Sequence, residues 1–445
     1  MRKSVRGFDR GFIRRIESAT PPDRDRAVDA LRAFAILGVM LGHWLVTALV
    51  ADSGTVHGAS PLQRMPQLAP VSWMFQTLAV FFLVGGQVGA KSYAAARPRG
   101  VTYGRWLGAR MARLFRPVAV VLVVWAVAAG AMLGSGVGLE TVHTLLKLVL
   151  SPLWFLMVFA VLTAATPMVA RLHPLWPLAV VLSVDLIRFG FGGPAWCGWI
   201  NVAAGWLVPY CLGATWARGG LRGRTTGWLL LTGGAAVTAL LVLVAGYPAS
   251  MVGVPGAEVS NLNPPTLAAV TFGLAQCGAA LLLLGPLRRV LARPGAWAAV
   301  ALINLSAMTV FLWHQTAMMA VTATGLFVGG ILPGLHTEPD GPVWVLARLA
   351  WLPVFAAALL VCWAAFRTYE QGRRGHTQVV RENLPEPEPE SELEPGTGLV
   401  PGFGSRTGSA LGGSTPIHPW DDGPERLQPG RDAATAAPLL GSCHD

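Results

Sequence analysis

The residue whose type and place most suggest chemistry is His43. It stands in ILGVMLGHWLVTALV, a run from Ile36 that otherwise resembles hydrocarbon. A neutral imidazole carries one donor and one acceptor, and it is the side chain best matched to proton transfer near neutral pH. Asp29 and Arg32 precede it in the same run. Eleven residues make about three helical turns, so Arg32 and His43 share one helix face, roughly 16 Å apart along the axis, with Asp29 at its edge. A second histidine, His314, lies in NLSAMTVFLWHQTAMM between Trp313 and Gln315, with Asn304 and Ser306 two or three turns earlier. Ionisable groups at membrane depth are costly and mark functional positions. Each also has a plainer reading: Asp29 paired with Arg32, His43 bonded to a neighbouring helix, His314 packed and bonded to a serine.

A third group is cationic. In RWLGARMARLFRP, Arg110, Arg113 and Arg116 recur every third residue just before Pro117, with Lys91, Arg97, Arg99 and Arg105 upstream. Guanidinium groups at this spacing make a ridge suited to phosphate oxygens. An anchor against anionic lipid is the competing reading. Trp154 and Phe155 in SPLWFLMVF enter an apolar run from its outer end, where an interfacial aromatic belt explains them equally well.

These residues need elements to hold them. The 445-residue chain is 53% hydrophobic and 13% charged, about half the charge of an ordinary soluble domain. That composition indicates a membrane protein, and the net charge of +11 then bears on loop orientation rather than on nucleic acid. Five scattered cysteines without CxxC spacing read as small buried hydrophobes, with no metal cluster or disulfide framework. Stretches long enough to span lie near 27–51, 69–90, 117–135, 150–170, 175–190, 199–217, 226–246, 266–286, 298–327 and 342–366. The fifth is the weakest, and the ninth is long enough to tilt or break. Segments assigned to the inside hold 22 Lys or Arg, against three outside (Arg64, Lys147, Arg188). The expectation is therefore an all-α polytopic protein of the cell membrane with ten spans and both termini cytoplasmic.

The domain reading is a basic segment over 1–26, belonging to an uncleaved first helix, a membrane domain over 27–370, and a disordered Pro/Glu/Gly-rich cytoplasmic tail over 371–445. The outer loop 247–265 reads as an ordered lid or rim. Asp185 with Arg188, and Arg348 in the last span, read as snorkelling or mutual pairing. No internal repeat is visible, which weighs against transporter folds built from duplicated halves.

Four stretches in order resemble the acyltransferase-3 family of polytopic membrane O-acyltransferases: RAVDALRAFAILGVMLGHW, VFFLVGG leading to RWLGARMARLFRP, LWFLMVF, and LSAMTVFLWHQ. The resemblance covers about residues 24–370. It implies transfer of an acyl group, acetyl in the first instance, from cytoplasmic acyl-CoA to a hydroxyl of a carbohydrate or glycolipid at the outer face. It implies no permanently bound cofactor, and lipid bilayer but no nucleic acid among the partners. Carried over residue by residue, His43 matches the essential histidine, Asp29 and Arg32 the first-helix pair, and Arg110 and Arg113 the basic pair, with Arg116 an alternative register for donor phosphates. His314 falls in the late Leu-Trp-His signature. His43 is the expected base, with Arg32 or His314 steadying the oxyanion. Many members have Ser-Gly where this chain has Gly85-Gly86, so a covalent serine intermediate is not expected. An appended extracellular esterase-like domain is not expected either. The rival class is a polytopic transporter or flippase, since intramembrane His, Asp and Arg also serve proton-coupled transport.

Overall fold

The computed structural model describes residues 11–371 apart from 12, 53, 54 and 222. The expected tail and the first ten residues of the basic segment lie outside the described residues. The long helices are α1 (Arg26–Val46), α2 (Leu78–Ala96), α3 (Tyr103–Gly134), α4 (Leu139–Leu150), α5 (Leu153–Ala164), α6 (Leu175–Asp185), α7 (Ile200–Ala217), α8 (Arg224–Leu243), α9 (Leu267–Val290), α10 (Pro294–Leu305), α11 (Ala307–Gly329) and α12 (Pro342–Gln371). Among the described residues, seven helices are long and apolar enough to cross a membrane: α1, α2, α3, α4 with α5 as one, α8, α9 and α12. An eighth candidate is the pair α10–α11, bent by 70°. The molecule is a polytopic helical membrane protein.

Several expected boundaries move, each for a local reason. The first apolar run does not stay helical to residue 51. The helix stops at Val46, and Ala48–Asp52 (β1) pairs antiparallel with Thr55–Ala59 (β2), Ala48 facing Ala59 and Asp52 facing Thr55. The all-α expectation is thus corrected by one hairpin. Alternation of small apolar residues cannot distinguish a helix end from a strand, and the free edge of β1 has a partner, the carbonyl of His336, which accepts from Ala51 N–H. The second span begins at Leu78 rather than 69, because Pro66 and Pro70 break the segment before it into single turns.

The third span begins at Tyr103, so the arginine ladder lies within one 32-residue helix that runs through Pro117. The fourth begins at Leu139 and is interrupted only around Ser151–Pro152. Trp154 and Phe155 consequently sit near the middle of the Leu139–Ala164 helical stretch. The fifth expected span is helical throughout, Leu175–Asp185 continued by a π-helical turn over Leu186–Gly190, but its length of at most about 24 Å is short of a full crossing. The ninth does break, at Ser306, whose hydroxyl accepts from Trp363 Nε1 at 2.6 Å.

Packing runs in pairs: α8 along α9, α2 along α7, α11 along α12, with α1 touching α2, α9, α10, α11 and α12. The α2–α7 contact is close because of two glycines. A Cβ at Gly86 would collide with the Tyr210 carbonyl, and one at Gly213 with the Leu83 carbonyl. Between lipid-soluble helices such backbone approach is a main source of packing energy.

The loop over 247–265 is ordered, as expected. Buried Asn261 holds it, donating to the carbonyls of Pro248 (2.6 Å) and Ser250 (3.0 Å) and accepting from Thr266 (2.6 Å). Two pairings differ from expectation. Asp185 forms no ion pair with Arg188 among the described residues. It accepts from Leu267 N–H (2.6 Å), Asn201 (2.9 Å) and Tyr247 (3.1 Å), because neutral donors from three elements converge on it. Arg348 does not snorkel: it is 1% exposed and bonded to backbone carbonyls.

Candidate active site

α1 starts where it does because Asp25 caps it, its carboxylate accepting Ala27 N–H at 3.1 Å. Arg288 grips the same carboxylate at 2.6 and 3.3 Å. Burial works against the charge of Asp25, but this pairing outweighs it and holds the carboxyl below its ordinary range. At the other end, stopping at Val46 places His43 in the final turn, where carbonyls lack helical partners.

Arg348 from α12 supplies those partners. Its Nε donates to Trp44 O at 2.6 Å, its Nη2 to Thr47 O at 2.5 Å and its Nη1 to Gly334 O at 2.9 Å, while Phe355 packs on the guanidinium at 4.8 Å. A cation here also meets the negative end of the helix dipole. Trp44 Nε1 donates to His314 O at 2.9 Å. The turn that carries His43 is therefore tied to both α11 and α12.

Across this junction the two histidines face each other, with ring centroids 5.2 Å apart and planes tilted by 42°. His43 Nδ1 lies 3.1 Å from the side-chain amide nitrogen of Gln315. His314 Nδ1 lies 2.6 Å from Phe311 O. A carbonyl only accepts, so this nitrogen carries the proton, and neutral His314 presents Nε2 as a lone pair. That Nε2 is buried without a partner among the described residues, as is Gln315 Oε1. Buried polar atoms without partners are few in folded proteins and call for a reason. The geometry also bears on both the plainer and the functional reading of His314. Its partner is a carbonyl and not a serine, and a neutral ring in this tautomer cannot donate to an oxyanion from Nε2.

One wall of the junction is aromatic. Phe311 is 6.1 Å from His314 and 5.6 Å from Phe155, which packs edge-on to Phe81 (4.9 Å) and Phe82 (5.1 Å). Phe82 stacks on Trp206 at 5.1 Å, and Trp206 Nε1 is another buried donor without a partner.

The basic cluster lies toward the other end of α1. Arg110 donates to Ser92 Oγ and stacks on Trp106 at 4.9 Å, while Trp106 Nε1 donates to the same Ser92 oxygen at 2.8 Å. Arg110 is within electrostatic range of Arg113 and of Arg32. Arg113 and Arg116 are exposed. Asp29 faces away from this group, taking Arg24 in a forked pair at 2.6 and 3.1 Å.

The fold thus brings His43 against His314 and puts Arg110 within electrostatic range of Arg32 and of Arg113, so that His43 and Arg32 mark two places about three turns apart along α1. Two open cavities lie elsewhere. One, of about 300 Å³, is lined by Asp23 to Arg26 and Arg288. The other, of about 370 Å³, is an apolar groove between α11 and α12 lined by Val321, Leu332, Trp351 and Val354.

A family model, Acyl_transf_3, described as an acyltransferase domain, matches residues 25–367. The chain belongs to the acyltransferase-3 family. No curated protein and no solved structure matches it. The matched span begins at the Asp25 cap and ends four residues before the close of α12, so it takes in both histidines, all the arginines of the basic cluster and Arg348.

For an acyltransferase-3 protein, the Gly85-Gly86 departure has a structural counterpart. A Cβ at residue 85 would fall 2.5 Å from Phe159 Cε2, so an aromatic ring from α5 takes the space that a serine side chain would need. Residue 86 is closed by the Tyr210 backbone.

Sequence reasoning named Gln315 only as a neighbour of His314 and misjudged Arg348. The second had a signal, since a guanidinium eight residues from the nearest charge in an apolar span has to find carbonyls or carboxylates. The first had none, because a glutamine beside a histidine points to a different face of the helix and its reach to α1 depends on how the helices cross.

Proposed function

We propose that this acyltransferase moves an acyl group, acetyl in the first instance, from cytoplasmic acyl-CoA to a hydroxyl of a carbohydrate or glycolipid at the outer face of the cell membrane. The observation that carries the reading is the junction of half-buried His43 with buried His314 and Gln315, which keep unpartnered polar atoms among the described residues, while Arg32, three turns from His43 on the same helix, lies within electrostatic range of Arg110. In this reading His43 is the general base. As the acceptor oxygen attacks the thioester carbonyl, its proton passes to His43. Collapse of the tetrahedral intermediate breaks the carbon–sulfur bond, and the imidazolium returns the proton to the departing sulfur, giving ester and free thiol. General base catalysis of this kind contributes roughly 10²–10⁴-fold.

Arg110, Arg113 and Arg32, with Arg116 at the rim, are the residues suited to the donor's phosphates, and forked guanidinium contacts fit such oxygens. Asp29, bound to Arg24, has a supporting role in placing α1 rather than a place in the chemistry. Both termini are cytoplasmic in this reading, and the lid over 247–265 stands on the acceptor side. Ten crossings follow if α6 and α7 enter the bilayer alongside the longer helices. α6 cannot cross alone at its length, so it would do so only with the chain that follows it.

The test is incubation of radiolabelled acetyl-CoA with membrane vesicles containing the protein, followed by mass spectrometry of envelope glycans and glycolipids. Wild type is expected to label one carbohydrate-containing product. His43→Ala is expected to lose labelling by at least about 10²-fold with unchanged insertion. Labelling by His43→Ala equal to wild type refutes the reading.

A further inference from the structure

Gln315 is 1% exposed, and its side-chain amide uses only one of its two ends. One end meets His43 Nδ1 at 3.1 Å; the other is buried with no partner. The two ends of a glutamine amide differ by a half-turn about its last bond, and hydrogen-bonding logic assigns them. If the NH2 group faces His43, then Nδ1 accepts and the proton of the neutral ring sits on Nε2, which leaves no lone pair for a substrate. If the oxygen faces His43, then Nδ1–H donates and Nε2 is the base. The neighbouring ring shows the second pattern, since His314 Nδ1–H donates to the Phe311 carbonyl and leaves Nε2 bare.

Resting on the reading of His43 as base, we propose that Gln315 is a positioning residue that turns its amide oxygen to His43 Nδ1–H and so fixes the tautomer with Nε2 free. The second partner of a catalytic histidine selects its tautomer and ring orientation in this way, and a wrong tautomer costs orders of magnitude with the geometry intact. Adjacent positions 314 and 315 on α11 then set both rings of the pair: one through a backbone carbonyl, the other through a side chain. The remaining amide end of Gln315 and His314 Nε2 both lack protein partners and are left for substrate. Of the titratable groups on the helices packed against α1, His314 on α11 faces His43. Arg348 on α12 reaches the carbonyls beside it, while Lys91 on α2 and Arg288 on α9 act on Asp25 at the start of α1, and Arg289 is in the last turn of α9. No charged side chain lies within α10.

The experiment has two arms on the full-length protein in lipid nanodiscs. In the first, ¹⁵N chemical shifts of selectively labelled histidine, with His43 assigned by its absence in His43→Ala, distinguish a protonated from a bare ring nitrogen. Wild type is expected to show His43 protonated at Nδ1 and bare at Nε2, and Gln315→Leu is expected to lose that preference. In the second, kinetics are compared for Gln315→Leu and Gln315→Glu. The leucine variant is expected to lose about 10²-fold in kcat with the KM for acyl-CoA unchanged. The glutamate variant keeps an acceptor on Nδ1–H, so it is expected to recover at least about tenfold of that loss. Its acid limb of kcat/KM against pH is expected to move upward by about one unit or more, since a carboxylate stabilises the imidazolium.

A wild-type His43 bare at Nδ1 overturns the proposal. So does a leucine variant within about twofold of wild type, or a glutamate variant as slow as the leucine variant with an unmoved pH profile. Failure of the base assignment itself shows separately, as full activity in His43→Ala.

Discussion

α11 and the loop that follows it carry two buried histidines that are treated in opposite ways. His336, 1% exposed, has both ring nitrogens satisfied: Nδ1 accepts Leu332 N–H at 3.0 Å, and Nε2–H donates to Thr322 O at 2.7 Å. Arg348 nearby is satisfied in the same way by three carbonyls. His314 is just as buried, yet only one of its nitrogens has a partner, and the Gln315 amide beside it is likewise half used. Desolvating a polar group costs free energy that a hydrogen bond normally offsets. The region around His336 and Arg348 uses its polar groups to hold helix ends and loops together. The histidine junction leaves atoms unspent, and unspent buried atoms are available to a substrate.

That contrast can be broken by substitution. The largest effect is expected at His314. His314→Ala should lower acyl transfer by about 10²-fold or more. Its melting temperature in detergent should fall no further than that of an ordinary core truncation, since one carbonyl contact is lost. Transfer at the wild-type rate would place His314 with His336 as a purely structural group. Arg348→Met should do the reverse in kind. It strips partners from three buried carbonyls, and breaking a buried charged contact of this sort costs about 3–5 kcal/mol. Thermal unfolding should show that loss, and Arg348→Lys should recover only part of it because an ammonium lacks the planar fork. A methionine variant that melts with wild type would mean that α1 does not need its clamp.

The smallest effect sharpens the comparison at the far end of α1. Asp25→Asn keeps a capping side chain but removes the ion pair with Arg288, which is half exposed, so a cost of about 0.2–1 kcal/mol is expected at neutral pH. The folded carboxyl titrates below its ordinary value, so the pair's contribution is full above the unfolded value near 3.9 and fades as pH falls through the folded one. Stability curves of wild type and Asp25→Asn should therefore converge below about pH 4. A constant offset at all pH values would assign the effect to capping alone.

Much of this was legible in the residues. Hydropathy gave a helical membrane protein whose ninth span is long enough to tilt or break, because a bilayer forces the backbone to close its own hydrogen bonds over a fixed thickness. The three-turn spacing of Arg32 and His43 gave one helix carrying two kinds of chemistry, and quoted motifs pointed to the family that the domain match establishes. Helix ends were less legible. Ala48–Asp52, most of it expected within the first helix, is a strand, and Leu139–Leu150, expected between spans, is a helix, because an apolar pentapeptide suits strand and helix alike, and a short amphipathic segment beside a span reads as loop.

The sequence by itself determined which ionisable groups interrupt or adjoin apolar helical stretches and how far apart they stand along one helix, since 3.6 residues per turn and 1.5 Å per residue are fixed by the backbone. Only the tertiary structure decided which of them meet: that His43 faces His314 and Gln315, that Arg110 comes within electrostatic range of Arg32, that Asp29 turns to Arg24, and that Arg348 closes the end of α1. Contacts between helices depend on crossing geometry and on the fit of side chains at close approach, and those are properties of the packed whole that no spacing within one helix can carry.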